Sequence, residues 1–169
     1  MKKFLLYGLF ILSITVSGTL VQAQNDSYLR GMALMQQAHY DEAIGHFDQA
    51  ITDMGADVKA LLHKGEALMH LGSYDEAKSL FLLIQDKDPA ISSIWLARCH
   101  AMMGETGEAI RHLRNHLESD DRLPEKTIMA DPFFQRIERS RDWRRLWSED
   151  WYTPSDYQRT EAEYLISNA

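Results

Sequence analysis

Seven histidines are the residues of this 169-residue chain best suited to holding an ion or moving a proton. Imidazole titrates near neutrality and ligates divalent metals through either ring nitrogen. His112 and His116 stand four apart, so a helix carries both on one face, a spacing compatible with a shared ion. A metalloprotease helix needs glutamate where Leu113 stands, and no third ligand follows in register. His63 and His70 are seven apart with Glu66 between them, and no other dedicated carboxylate accompanies them. These histidines therefore read as surface or interhelical side chains, and neither a metal nor a cofactor is expected. The chain contains no nucleophile elbow (G-x-S-x-G), no phosphate loop and no G-x-G-x-x-G. Acidic pairs such as Asp120-Asp121 and Glu149-Asp150 have nothing to set one apart as acid and the other as base. The expectation is a protein that is not an enzyme.

Two further groups of reactive or charged residues bear on function. Arg136, Arg139, Arg141, Arg144 and Arg145 lie within ten residues and are interleaved with tryptophan, a pattern that can serve nucleic-acid binding. A formal charge of −7 and a sequence pI near 5.4 oppose that reading, so no nucleic-acid partner is expected. A single cysteine, Cys99, rules out an internal disulfide and any multi-cysteine metal site. It reads as a small buried helix residue, with a free or intermolecularly bonded thiol as the alternative.

The elements that position these residues follow from an internal repeat. Tyr40-Asp41-Glu42-Ala43 returns as Tyr74-Asp75-Glu76-Ala77, and Gly31-Met32-Ala33-Leu34-Met35 returns as Gly65-Glu66-Ala67-Leu68-Met69. Both recurrences have a period of about 34 residues, the length of a helix–turn–helix unit. Phe47 and Phe81 each follow their alanine by one helical turn. A weaker third copy runs through Ala97, Gly104, Glu108, Ala109, Ile110 and Leu113. Gly72 and Gly104 fall where a left-handed helix end is wanted. Asp41-Glu42 and Asp75-Glu76 place negative charge in the first turn of the helix that follows.

With Pro89 closing the second unit, these residues resemble the tetratricopeptide repeat. The resemblance covers about residues 25–119, in units of about 24–57, 58–90 and 91–119. It implies an all-α fold, an α-solenoid of about three helix-turn-helix pairs with a C-terminal helical cap. It also implies that the first helix of each pair lines a concave groove. The groove residues expected on that basis are Tyr28, Met32, Met35 and Gln36, then Leu62, His63, Glu66, Met69 and His70, then Ile94, Trp95, Arg98 and Met102. Methionine adapts its flexible thioether to varied apolar partners, so a peptide or partner helix is the expected occupant. Relatives that clamp chaperone tails use several cationic residues in the groove. Here Lys59 and Arg98 are present, but Tyr28 and Met32 take the corresponding places in the first unit, so that role is disfavoured.

The two ends differ from the middle. Residues 1–23 combine Lys2-Lys3, an uncharged Leu/Phe/Ile-rich stretch and Val21-Gln22-Ala23, the pattern of a cleaved secretory signal. An uncleaved anchor is the rival reading. No cysteine stands near the end of the segment, so a lipoprotein is excluded. The expected location is periplasmic or extracellular in a bacterial envelope, with no stable membrane span after cleavage. Residues 120–169 are read as an aromatic- and arginine-rich cap, with helix starts at Pro124, at Asp131-Pro132 and at Ser140. Glu161–Asn168 looks like the opening of a further repeat helix or a solvating terminal one. The functional expectation is an exported interaction scaffold that binds a protein or peptide in its groove. The alternative is a structural subunit of an envelope assembly, docked through the C-terminal aromatic segment. Oligomeric state is left open.

Overall fold

A computed structural model describes residues 26–153. The signal-like segment 1–23 and the Glu161–Asn168 segment lie outside the described residues. Among the described residues the fold is all-α, with eight α-helices, one 3-10 turn and no strand. They are α1 (residues 26–36), α2 (Tyr40–Met54), α3 (Val58–His70), α4 (Tyr74–Ile84), α5 (Pro89–Met103), α6 (Thr106–Leu117), α7 (Glu125–Met129) and α8 (Arg141–Leu146). The 3-10 turn spans Pro132–Phe134. No helix among them is long and apolar enough to cross a membrane.

The repeat is written most clearly in the turns. After α3, the Gly72 N–H bonds the Met69 carbonyl and the Ser73 N–H bonds Leu68. After α5, Gly104 bonds Ala101 and Glu105 bonds His100. After α1, Ala38 bonds Met35 and His39 bonds Leu34. Each is the paired helix-ending motif that takes a left-handed residue just past the helix. Gly72 and Gly104 supply it at φ 79° and 81°, whereas the first unit uses Ala38 at φ 58°. Asp41-Glu42 and Asp75-Glu76 occupy the first turns of α2 and α4, as the dipole favours.

The chain divides after Ser73 into two compact units. In the first, α2 packs along α3, and α1 approaches α2 at Gly31. A β-carbon on Gly31 would meet the Phe47 ring at 2.7 Å, so only glycine fits there. Ala43, Phe47, Ala50, Ala60, Leu61, Gly65, Ala67 and Leu68 are buried here.

In the second unit α4 packs on α5 and α5 on α6. Asp88 caps α5 by accepting from the Ile91 N–H, with Pro89 in the first turn. Ala77, Phe81 and Ile84 of α4 are buried, and the Phe81 ring stacks on Trp95 at 5.2 Å between centroids. The buried Ser92 hydroxyl donates to the Phe81 carbonyl at 2.8 Å, which satisfies a polar group inside that interface.

One core joins α5 and α6 to the C-terminal segment: Ile94, Ala97 and Ala101, then Ala109, Leu113 and Leu117, then Ile128, Phe134, Ile137, Trp143 and Leu146. The expected starts are present: the Asp131 carboxylate accepts from Phe133 N–H, and the Ser140 hydroxyl from Trp143 N–H. At α7 the boundary shifts by one, with Pro124 preceding the helix rather than opening it. The five arginines 136, 139, 141, 144 and 145 are all exposed.

Candidate functional site

The first unit holds an open concavity of about 290 Å³. Met32, Met35 and Gln36 of α1, Tyr40 at the start of α2, and His63, Glu66 and His70 of α3 line it. Side chains four apart on a helix face the same way, so Met32 and Gln36 share a stripe, as do His63 and, one turn on, Glu66. His70 stacks flat against Tyr40, with centroids 4.5 Å apart and planes 5° from parallel. His63 Nδ1–H donates to Glu66 Oε2 at 3.1 Å, since a carboxylate only accepts. That bond fixes the imidazole and partly offsets the one acidic group in the wall. Tyr28 stands beside this wall, tilted against Phe47 and His63. Its phenol is held above its ordinary pKa by burial and, secondarily, by Asp57. The surface is apolar thioether and aromatic ring with a few polar groups, suited to a side chain of mixed character rather than to an anion.

Six of the expected groove residues therefore meet in one place: Met32, Met35, Gln36, His63, Glu66 and His70. Tyr40, expected as a repeat-defining residue, joins them. Other expected groove residues do not. Met69 is 2% exposed and Ile94 3%, so both are core side chains rather than groove lining. Leu62 is half-buried and outside the concavity. Trp95 is held between Phe81 and Phe133, with the Arg98 guanidinium 4.3 Å above its ring. Arg98 Nε donates to Asp131 Oδ2 at 2.7 Å, with both side chains largely withdrawn from water, so it is not offered to a ligand. Met102 is half-buried, and its carbonyl accepts from Arg136 Nη1 at 2.6 Å. For Ile94, Trp95, Arg98 and Met102 the reason is common: α5 buries Ala90, Ser92, Ile94, Leu96, Ala97, Cys99 and Ala101, which leaves it no broad open face.

The described aromatics of the C-terminal segment are likewise turned inward. Trp143 is buried, Trp147 and Trp151 pack on the second unit's core, and Trp151 Nε1 donates to the Leu146 carbonyl at 2.7 Å. Tyr152 donates its hydroxyl proton to the Leu123 carbonyl at 2.6 Å. These aromatics do not form a docking surface; the outward groups include the five arginines together with Glu138, Asp142, Glu149 and Asp150.

The histidines of α6 part company. His116 is buried, its Nδ1–H donating to the Ala90 carbonyl at 3.0 Å and its Nε2 accepting from Leu123 N–H at 2.9 Å. Both nitrogens are used, so the His112–His116 pair shares no ion. Burial holds His116 below the usual histidine range. His112 instead faces His100 across the α5–α6 turn, rings stacked at 5.3 Å. Burial first, then the neighbouring Arg111 and His100, pushes its pKa down to about 4. Glu108, one turn before His112, completes a group whose donor atoms lie within 4.8 Å of one another. Pairing His112 only with later residues missed this group; the available signal was His100, just before the Gly104 turn that folds it back. Cys99 is fully buried and its thiol is pushed up to about 12, chiefly by desolvation, so it is the inert helix residue rather than a reactive thiol.

Residues 28–90 match the tetratricopeptide repeat family. The match begins in α1 and ends at Pro89-Ala90, in the first turn of α5, so it takes in the two strong copies of the 34-residue period. No curated protein matches the chain. Tetratricopeptide repeats are non-catalytic scaffolds that mediate protein–protein interaction, and the helix pairs here have that architecture.

Proposed function

We propose that this protein is an exported interaction scaffold and that the concavity of its first unit holds a segment of a partner protein. One observation carries the reading: two methionines, two histidines, a tyrosine and a glutamine converge on a preformed, open depression lined by a single acidic side chain. Rigid helices hold this wall before any partner arrives, so capture costs little ordering of the protein. A peptide or helix offering apolar side chains with an occasional hydrogen-bonding group fits such a wall. The export part of the reading rests on residues 1–23, and the N-terminus of the protein recovered from its host tests it by mass spectrometry.

The groove is tested with Met32→Glu combined with Met35→Glu, substitutions on half-buried positions of α1. In affinity capture from envelope extract, the parent should retain a defined partner and the double variant should lose it at least tenfold. Retention undiminished by both changes refutes the groove. A second reading, docking of an envelope assembly on the C-terminal segment, is favoured by the exposed arginines of α8. Arg144→Glu with Arg145→Glu tests it without disturbing the buried Trp143 and Leu146. Loss of the partner there, with the methionine variant unaffected, selects the second reading.

A further inference from the structure

We propose that His100, Glu108 and His112 form a binding site for a divalent first-row transition ion, of which Zn²⁺ is the reference. The three residues come from two helices. His100 lies in the last turn of α5, and Glu108 and His112 lie one turn apart on α6. The intervening turn is short and closed by Gly104 in the left-handed region, with the Glu105 N–H bonded to the His100 carbonyl at 2.8 Å. Backbone thus fixes the separation of the ligands before any ion binds. Two imidazoles and one carboxylate, every donor atom within 4.8 Å of the others, are a recognised first-row donor set.

Three details favour a built site over a chance cluster. First, His100 Nδ1–H donates to Glu105 Oε2 at 2.5 Å. This is the outer hydrogen bond that metal-bound histidines ordinarily have, and it leaves the lone pair on Nε2, available to ligate. Second, the His100 and His112 rings lie stacked, 5.3 Å between centroids and 7° from parallel, so the two imidazoles are brought together by the fold itself. Third, a cation already sits between two of the donors. The Arg111 Nη2 group is 2.5 Å from Glu108 Oε2 and 2.8 Å from His112 Nε2. Arg111 is a half-exposed side chain on the solvent side of α6 and can swing away. The guanidinium holds the place of the ion, and an arriving metal displaces it. Because arginine has no acceptor, His112 Nε2 must be presenting its lone pair there. The three protein ligands leave a fourth position for water, and the ion would clip the end of α5 to α6.

Tag-free protein purified through a chelator is titrated with Zn²⁺ by equilibrium dialysis and with Co²⁺ by visible absorption. One Zn²⁺ per chain should bind, and the Co²⁺ complex should show the intense visible bands of a four-coordinate site. Glu108→Gln and His100→Ala should each weaken Zn²⁺ binding at least tenfold. Glu108 is exposed, so its variant folds as the parent does, and circular dichroism checks both. Arg111→Ala should tighten binding, because it removes the competing cation. Absence of uptake overturns the proposal, as does uptake that Glu108→Gln and His100→Ala leave unchanged. Weaker binding in Arg111→Ala overturns the placement of the ion at the guanidinium position. None of these outcomes depends on the partner bound by the first unit.

Discussion

At the scale of single residues, the most telling difference among the repeats is Ala38. Glycine occupies the corresponding left-handed positions at residues 72 and 104, where a β-carbon would crowd the following carbonyl. An alanine at φ 58° bears that crowding, about 1 kcal/mol. Ala38→Gly should therefore raise stability by roughly 0.5–1 kcal/mol in urea denaturation, despite the greater freedom glycine gives the unfolded chain. Gly31 presents the opposite case. Gly31→Ala drives a β-carbon into the Phe47 ring, and overpacking of this kind costs about 1–3 kcal/mol. An unchanged denaturation midpoint in Gly31→Ala would show that α1 can simply move away. The glycines at 72 and 104 announced their turns in the sequence, whereas Ala38 concealed the same turn behind an ordinary helix former. Met69 and Ile94 misled for another reason. Counting along a helix identifies a face, but it does not reveal that a helix is covered on several faces at once.

At the scale of elements, α5 and α6 are fastened by polar groups that periodicity does not reveal. Asp131 accepts from Arg98 through Oδ2 and caps the 3-10 turn by accepting from Phe133 N–H through Oδ1. Its side chain is 5% exposed and that of Arg98 14%, so removing one charge strands the other in a poorly solvated place. Asp131→Ala should cost roughly 3–5 kcal/mol by chemical denaturation. Asp131→Asn, which keeps an oxygen for the cap, should cost less. His116 ties the start of α5 to the end of α6 and to Leu123 in its neutral form alone, because a proton on Nε2 would confront the Leu123 N–H. Its folded pKa lies below the ordinary value chiefly through burial, opposed by the hydrogen bond to the Ala90 carbonyl, with smaller effects from Arg98, which lowers it, and Asp121, which raises it. The unfolded chain then takes up a proton that the folded one refuses. Stability contributed by neutral His116 is present above about pH 6.5 and falls as the solution is acidified below it. His116→Gln should flatten that part of the stability–pH curve, read as Tm between pH 7 and 5. The sequence offered the helix starts at Asp131 and Ser140 but not the Arg98–Asp131 pair, since nothing local couples residues 33 apart.

At the scale of the whole molecule, the all-α class and the 34-residue period were legible because close packing of helix pairs demands small residues at fixed places. Gly31, Ala43, Ala77 and Ala109 are those places, and each is buried. The role of the last fifty residues was legible only in outline. Among the described residues, the aromatics that the sequence offered to a partner complete an interior instead: Phe134 and Trp143 lie in it, and Trp147 and Trp151 pack against it. Trp143→Ala should behave as a core deletion, costing about 3–5 kcal/mol, and not as a binding variant. Melting of the second unit, followed by tryptophan fluorescence, checks this.

That interior also has a consequence in time. The core of the second unit joins Ile94 to Leu146, so it closes only after a long stretch of chain has been gathered. The first unit's helices meet near neighbours. Entropy of loop closure and contact order both favour early formation of the nearer contacts. In pulse-labelled hydrogen exchange during refolding, amides of α2 and α3 should gain protection before those of α5 and α6. A chain emerging N-terminus first from the ribosome would then have its methionine-lined depression ready while α5 still waits for Leu146 to appear.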